Sequence, residues 1–275
     1  MNNDILKIED LNKSFTRNII NMRGKEENER FNIIDELDLF IPESKITALI
    51  GGNGAGKTTL FNIISRFTES DSGRISFHNN QWLNILKQPA YKLKHIGIGR
   101  LFQDNHIFQQ MTVLENMLIA DDSEWGERPF ISLFKANKNK EVEKKRTKKV
   151  EKIFFELFGI NNPFWQKRKN LASSLSFGQQ RLLGLARLFM GDYKLVLLDE
   201  PTAGVNPDLV KTICIIIKRM VKEKGLTVFL IEHNMKVVLE IADFCSFMSH
   251  GKITAFGSPK DVIGDENVRR TYLGM

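Results

Sequence analysis

The sequence has few of the features that secreted, zinc-binding or membrane-spanning proteins use. Its two cysteines, Cys214 and Cys245, have no Cys or His partner at ligand spacing, which argues against a disulfide framework or a zinc site and favours core positions for both. Its longest apolar runs, such as residues 195–198 and 213–217, are far shorter than the roughly 20 residues that a membrane-spanning helix needs. The amino-terminal MNNDILKIED lacks the basic start and apolar stretch of a secretory signal. These absences predict a globular protein of the cytoplasm.

Much of the formal net charge of +7 lies in one segment, residues 135–152. This segment, KANKNKEVEKKRTKKVEK, holds nine basic residues against three glutamates, and it leads into Val150, Ile153, Phe154 and Leu157 at helical spacing. A charged helix face turned to solvent is one interpretation, and a face close to a membrane is the other.

Apolar periodicity predicts alternating strands and helices along most of the chain. Strands are predicted at residues 5–11, 33–41, 96–102, 194–198 and 227–232, a helix at 58–66, and a largely helical region after residue 103. Residues 16–30, TRNIINMRGKEENER, interrupt the pattern with Asn, Gly and charges, which predicts either a long loop or an exposed hairpin.

Residues 51–59, GGNGAGKTT, join an apolar strand to the predicted helix. Glycines let consecutive backbone N–H groups point at phosphate oxygens, Lys57 supplies a cation, and Thr58 offers a hydroxyl to a magnesium ion. The helix amino terminus also favours an anion. The pattern therefore predicts nucleotide binding, with contacts from Gly51, Asn53, Gly54, Ala55, Gly56, Lys57, Thr58 and Thr59.

Polar side chains follow three further predicted strands, at Gln103, at Asp199 with Glu200, and at His233. Ligands of open α/β sheets bind at such carboxyl edges. Magnesium keeps several waters and takes few protein ligands, so Asp199 alone suits it, while Glu200 is a candidate general base that polarises water. Gln103 is a second orienting group and His233 a sensor of the γ-phosphate. Each residue is common at a strand end, and only their joint order makes the prediction specific.

That order, GGNGAGKTT, Gln103, LSFGQQ, LLDEPTAG and IEHN, resembles the ATPase subunits of ATP-binding cassette (ABC) transporters over essentially the whole chain. LSFGQQ is the most specific of these motifs, because many other phosphate-loop proteins share the first and fourth. IGRLFQ, MTVLENMLIA, EPTAGVNP and VRRTYLGM are similar to the branched-chain amino-acid importer branch, with the lipopolysaccharide-export ATPase as a near relative.

The resemblance implies an α/β fold: a P-loop NTPase core with a mostly parallel sheet, an antiparallel β flank and an inserted helical subdomain. Residues 1–275 then form a single nucleotide-binding domain. Residues 1–103 and 175–275 make the ATPase core, 104–174 the helical subdomain, and 16–30 an insertion loop with no counterpart in the family.

The resemblance also implies roles for single residues. Lys57 and Thr58 hold the phosphates and the metal, Gln103 is the switch glutamine beside the metal, Asp199 supports magnesium, Glu200 is the catalytic base and His233 the switch histidine. Ser176, Gly178 and Gln179 of LSFGQQ contact ATP bound to a second copy of the domain. Phe15 stacks on adenine, unless it is a core aromatic at a strand end.

The implied activity is hydrolysis of magnesium ATP to drive a transporter. The implied partners are a second ABC ATPase subunit, identical or not, and a separate transmembrane permease, with the chain peripheral on the cytoplasmic face of the inner (plasma) membrane and no nucleic acid expected. A lipopolysaccharide-export-type ATPase is an alternative, and a soluble ABC ATPase acting on ribosomes or nucleic acid is another. A phosphate-loop kinase does not explain LSFGQQ. The chain departs from the family pattern at Gly52, Phe177 and Asn206.

Overall fold

The computed structural model describes residues 3–20, 26–103, 107–121, 136–159 and 164–273. Its strands are β1 (Asp4–Ile20), β2 (Glu26–Pro42), β3 (Ile46–Ile50), β4 (Ser72–Asn79), β5 (Gln81–Asn84), β6 (Ile98–Leu101), β7 (Leu195–Asp199), β8 (Thr227–Ile231), β9 (Phe244–Ser249) and β10 (Lys252–Gly257). Its α-helices are α1 (Lys57–Ile64), α2 (Ala90–His95), α3 (Val113–Ala120), α4 (Ala136–Phe158), α5 (Phe177–Met190), α6 (Pro207–Lys224), α7 (Met235–Ile241), α8 (Pro259–Gly264) and α9 (Glu266–Leu273).

A six-stranded sheet in the order β10-β9-β3-β8-β7-β6 forms the centre of the fold. All its neighbouring strands pair in parallel except β10, which is antiparallel to β9. Every residue of β3, β7 and β8 is buried, as expected for parallel strands covered on both faces. Since these strands are parallel, their carboxyl ends meet at one edge, and the sequence motifs that follow them are brought together there.

Two hydrophobic clusters cover the two faces of this sheet. One contains Leu49, Leu197 and Phe229 together with α1 and a four-stranded antiparallel sheet of order β2-β1-β4-β5. The other contains Val196 and Leu198 together with residues of α3 to α7. The predicted α/β fold with an antiparallel flank is therefore confirmed.

The basic segment forms α4, and its apolar residues Val150, Ile153, Phe154 and Leu157 are buried as predicted. Part of its charge is paired within the fold: Arg146 Nε and Lys149 Nζ lie 3.1 and 2.7 Å from the buried carboxylate of Asp121. Burial raises the pKa of Asp121, but the hydrogen bonds from Lys149 and Arg146 outweigh it and leave the pKa below its ordinary value. Arg146 and the half-exposed Lys149 therefore hold α4 to the end of α3, while a solvated face and a face close to a membrane both stay predictions for the rest of the segment.

Both cysteines are fully buried, Cys214 on α6 and Cys245 on β9, as predicted. Across the described ranges, no helix combines the length and the apolar character needed to cross a membrane.

Of the two alternatives for residues 16–30, the exposed hairpin is confirmed and the insertion loop is wrong for residues 16–20 and 26–30. These continue β1 and β2 as a paired hairpin, with Ile20 opposite Glu26, while 21–25 lie outside the described residues. High charge favours a loop, yet in this hairpin opposite charges face each other across the ladder: Arg17 Nη2 lies 2.6 Å from Glu29 Oε2. Cross-strand ion pairs of this kind support a polar hairpin.

Replacing residues 17–29 with a short Gly/Ser link is expected to lower the melting temperature by no more than about 2–4 °C, the shift that 1 kcal/mol produces in a domain of this size. The Arg17–Glu29 pair is exposed, and such pairs contribute roughly 0–1 kcal/mol. Arg30 is retained, with its bonds to the Ser14 hydroxyl and Asp71. Thermal unfolding followed by circular dichroism measures the shift. Asp71→Asn, which weakens that retained network, is the positive control, and a larger drop in the linked variant would mean that the hairpin packs against the fold.

Candidate functional site

The phosphate loop leaves β3 after Ile50 and enters α1 at Lys57. Gly56, at the amino end of α1, has φ 104°, in the left-handed region that favours glycine. A Cβ there would lie 2.6 Å from the carbonyl oxygen of Ile33, so β2 runs directly beside the loop. Glycine is required at this position both by the backbone angle and by the lack of space.

The side chain of Lys57 curls back over the loop. Its Nζ donates hydrogen bonds to the carbonyl oxygens of Gly51 and Gly52, at 2.7 and 2.8 Å. Burial lowers the pKa of Lys57, and the nearby carboxylates of Glu200 and Asp199 act in the opposite direction. The ammonium group of Lys57 therefore binds two loop carbonyls and also experiences the negative charges of Glu200 and Asp199.

A pocket of about 230 Å³ opens above the loop, and it gathers residues from distant parts of the sequence. It is lined by Ile33, Asn53, Gly54, Ala55, Gly56, Lys57, Thr58, Thr59, Glu200 and His233. The loop residues predicted to contact phosphate, except Gly51, thus share one cavity with two of the predicted catalytic side chains.

Glu200 is the centre of a small polar group at this pocket. His233 Nε2 lies 3.1 Å from Glu200 Oε1, and Gln103 Nε2 donates to Glu200 Oε2 at 3.3 Å. Glu200 has φ 47°, a left-handed conformation that costs a non-glycine residue on the order of 1–3 kcal/mol and is often found at active sites. Three side chains predicted from separate strand ends therefore meet, and no motif in the sequence indicates the strained backbone of Glu200.

Asp199 lies deeper, at the end of β7, with its side chain 2% exposed. Its Oδ2 accepts a hydrogen bond from Arg100 Nη2 at 3.0 Å, whereas its buried Oδ1 has no partner among the described residues. Burial raises the pKa of Asp199 and Arg100 opposes that shift. The unpaired carboxylate oxygen of Asp199 and the hydroxyl of Thr58, which lines the phosphate pocket, are both hard oxygen donors of the kind that fits a magnesium ion.

Arg100 was not singled out by the sequence analysis. It lies on β6 and also donates to Asn62 Oδ1 at 2.8 Å and to Ser65 Oγ at 2.6 Å. The available signal was a charged residue inside the apolar strand IGRLF, because a buried arginine requires partners.

Glu232 is a second missed residue. Its Oε1 accepts hydrogen bonds from the backbone N–H and the hydroxyl of Thr202, at 3.1 and 2.6 Å. It thereby fastens the loop after Glu200 to the end of β8, where His233 begins.

The LSFGQQ residues lie elsewhere. Ser176 caps α5: its Oγ accepts from the backbone N–H of Gln179, and Gln179 Oε1 accepts from the backbone N–H of Ser176. Gly178 packs so closely on α6 that a Cβ would meet a Leu209 methyl at 2.1 Å. Ser176, Gly178 and Gln179 are absent from the lining of the phosphate pocket, so one chain does not bring them to it.

Phe15 lies on β1 opposite Phe31, with ring centroids 6.4 Å apart. Its side chain is 40% exposed, so the alternative of a core aromatic is wrong. Phe15 does not line the phosphate pocket, although Ile33, two residues beyond Phe31 on β2, does. Its contact with adenine stays a prediction.

Comparison with known proteins gives consistent matches. The family model described as "ABC transporter" matches residues 34–203. A probable branched-chain amino acid transport ATP-binding protein LivG of Methanocaldococcus jannaschii is 36% identical over 94% of this chain and 96% of its own length. The high-affinity branched-chain amino acid transport ATP-binding protein BraF of Pseudomonas aeruginosa is 32% identical over 88% of this chain and 91% of its own.

Solved structures agree in fold. A nucleotide-free ATP-binding cassette from an ABC transporter superposes with a TM-score of 0.77 at 32% identity, over 99% of this chain and all of the other. A cassette in its ADP conformation gives a TM-score of 0.75 at 33% identity, with the same coverage.

Proposed function

The chain belongs to the ABC transporter family and is an ATPase of that family, and from this premise we propose that it powers a membrane importer of branched-chain amino acids. The observation that carries the proposal at the site is the Glu200 group, which lies over the same pocket as Lys57. The importer assignment is supported by relatives whose names place them in branched-chain amino acid transport.

In the proposed mechanism the loop N–H groups and Lys57 bind the β- and γ-phosphates. Glu200 holds and polarises the attacking water as general base, while His233 and Gln103 fix the orientation of its carboxylate through their contacts of 3.1 and 3.3 Å. A magnesium ion, if held by Thr58 and Asp199 near Gln103, would neutralise charge that develops on the phosphates. Each carboxylate oxygen of Glu200 thus has a contact that orients the proposed base.

The proposal includes partners. Ser176, Gly178 and Gln179 act on ATP held by a second ABC subunit, because within one chain they are separate from the phosphate pocket. Phe15 stacks on adenine. We also propose the division into a core (1–103 and 175–275) and a helical subdomain (104–174), and a position peripheral to the cytoplasmic face of the membrane beside a permease.

The permease docks, in this proposal, in a groove of about 340 Å³ between β6, α3 and α5. Phe108, 47% exposed, is its most prominent aromatic, and its backbone is held on both sides by the fully buried Asn116. The neighbouring Ile107 is buried and does not line the groove, and His106 lies outside the described residues. The groove is lined by Lys94, Arg100, Leu101, Phe102, Phe108, Ile119, Ala120, Gly184, Arg187, Leu188 and Tyr193.

Phe108→Asp is therefore expected to cut transport strongly while basal ATPase of the isolated chain stays within a few-fold. Loss of a central aromatic anchor typically costs about 2 kcal/mol or more, or roughly 30-fold in affinity. Uptake of labelled leucine into vesicles that contain the permease and this chain measures transport. Ile215→Asp, at an apolar residue of α6 that is 50% exposed and outside the groove, is the matched control.

Undiminished uptake with Phe108→Asp would place the docking surface elsewhere. Hydrolysis of ATP by the wild-type complex without uptake of any branched-chain amino acid would reject the importer proposal and leave the ATPase assignment intact.

A further inference from the structure

We propose that Arg181, on α5, is a positioning residue that holds the backbone of Glu200 and the strand end before Gln103 in their working arrangement. The inference rests on the proposed role of Glu200 as general base, and it concerns a residue that does not line the phosphate pocket.

Arg181 is among the most buried side chains of the described chain, at 1% exposure. Its Nη1 donates to the carbonyl oxygen of Phe102 at 2.9 Å, and its Nη2 donates to the carbonyl oxygen of Glu200 at 3.1 Å. One guanidinium thus joins the residue before Gln103 to Glu200 itself. These bonds run to backbone atoms, so they fix main-chain positions from which both side chains extend.

The held backbone is a strained one. Glu200 has φ 47°, and a non-glycine residue keeps such a conformation only where its surroundings impose it. The backbone N–H of Glu200 donates to the Ile231 carbonyl at 3.0 Å, and Arg181 binds its carbonyl from the opposite side. Without Arg181 the Glu200 carbonyl would keep the backbone N–H of Ala203, at 3.2 Å, but lose its guanidinium donor. The peptide after Glu200 would then be held less firmly against relaxing toward an ordinary conformation, which would move the carboxylate away from the pocket.

Arg181 also has a particular place on α5. It lies five residues from Ser176, the capping residue of that helix, or about 7.5 Å along the helix axis. Arg181 therefore links the amino terminus of α5, which bears LSFGQQ, to Glu200 at the phosphate pocket through a short and buried connection. A displacement of α5 by a partner subunit would be transmitted directly to Glu200.

The test compares Arg181→Met and Arg181→Lys with wild type in the full chain. We expect Arg181→Met to lower kcat by roughly 10- to 100-fold, since misplacing a catalytic group by about 1 Å can cost that much, with KM and the Kd for ATP within about threefold. Arg181→Lys should recover part of kcat, because an ammonium can still bind one of the two carbonyls.

Arg219→Met is the matched control. Arg219 also donates to two backbone carbonyls of another helix, those of Glu156 and Leu157, but far from the pocket, so kcat should stay within about twofold of wild type. If Arg181→Met does not fold, kcat of Arg181→Lys alone is compared with that of wild type.

A double-mutant cycle with Glu200→Gln separates positioning from general destabilisation. If Arg181 acts through Glu200, then Arg181→Lys should change the residual hydrolysis of Glu200→Gln by less than about twofold, because coupled residues are not additive. Two results would overturn the inference and leave the proposed function standing. One is that Arg181→Lys lowers kcat by the same factor in wild type and in Glu200→Gln. The other is that kcat of both Arg181→Lys and Arg181→Met stays within twofold of wild type. A wild-type chain that hydrolyses no ATP would reject both.

Discussion

Glu200→Gln is expected to bind ATP with close to wild-type affinity and to hydrolyse it roughly 10²- to 10⁴-fold more slowly, the usual contribution of a general base. The amide keeps the shape of the carboxylate and can still contact Gln103 and His233, but it cannot take a proton from water. Phosphate release measures kcat, and equilibrium binding of a fluorescent ATP analogue measures affinity.

Lys57→Ala is the comparison that separates binding from chemistry. Lys57 is the cation of the pocket floor, and its loss leaves the phosphates facing the carboxylates of Glu200 and Asp199 without a counter-charge. Useful ATP affinity should therefore disappear in Lys57→Ala and persist in Glu200→Gln. Equal loss of binding in both variants would mean that Glu200 is structural and that another group activates water.

The polar edge of the sheet could be predicted because it depends on local signals. The strands β3, β7 and β8 are short and mostly apolar, with Thr47 the one polar residue inside β3, and such runs are typical of parallel strands buried on both faces. Once the strands are parallel, the residues after them must share one edge. Gln103, Glu200 and His233 accordingly meet within 3.1–3.3 Å contacts.

Arg100 and Arg181 could not be placed in the same way. Each is a long cation whose partners lie far away in sequence: Asp199 for Arg100, and the carbonyls of Phe102 and Glu200 for Arg181. Their contacts follow from how β6, β7 and α5 pack, which periodicity does not specify. Removing one partner of a buried ion pair such as Arg100–Asp199 is costly, so these missed residues matter to the site as much as the predicted ones do.

Composition was a poor guide at residues 16–20 and 26–30, since it was compatible with both a loop and an exposed hairpin, and these residues form paired strands. High charge and a glycine favour a loop when residues are counted singly, but Arg17 and Glu29 neutralise each other across the ladder. Phe15 and Phe31 pair on the same ladder. Pairing between strands brings together residues that are separated in the sequence. Composition read residue by residue does not show such pairs, and it therefore leaves a loop and a polar hairpin as two alternatives.

With ATP, Glu200→Gln is expected to elute from size-exclusion chromatography as a dimer, and with ADP as a monomer. Each chain holds one phosphate loop and one LSFGQQ segment, and the two are separate within the chain, so a complete site requires Lys57 of one copy and Ser176 of another. The γ-phosphate would bridge the two helix amino termini, and ADP lacks it.

Ser176→Arg in the Glu200→Gln background is the control for this assembly. Ser176 does not line the phosphate pocket, so ATP should still bind, but the bulky cation would obstruct the capped amino terminus of α5 and prevent the dimer. The prediction assumes that the partner is an identical chain. A monomer with ATP demonstrably bound to Glu200→Gln would reject self-pairing, and the second LSFGQQ segment would then have to come from a different ABC subunit or from assembly on the permease.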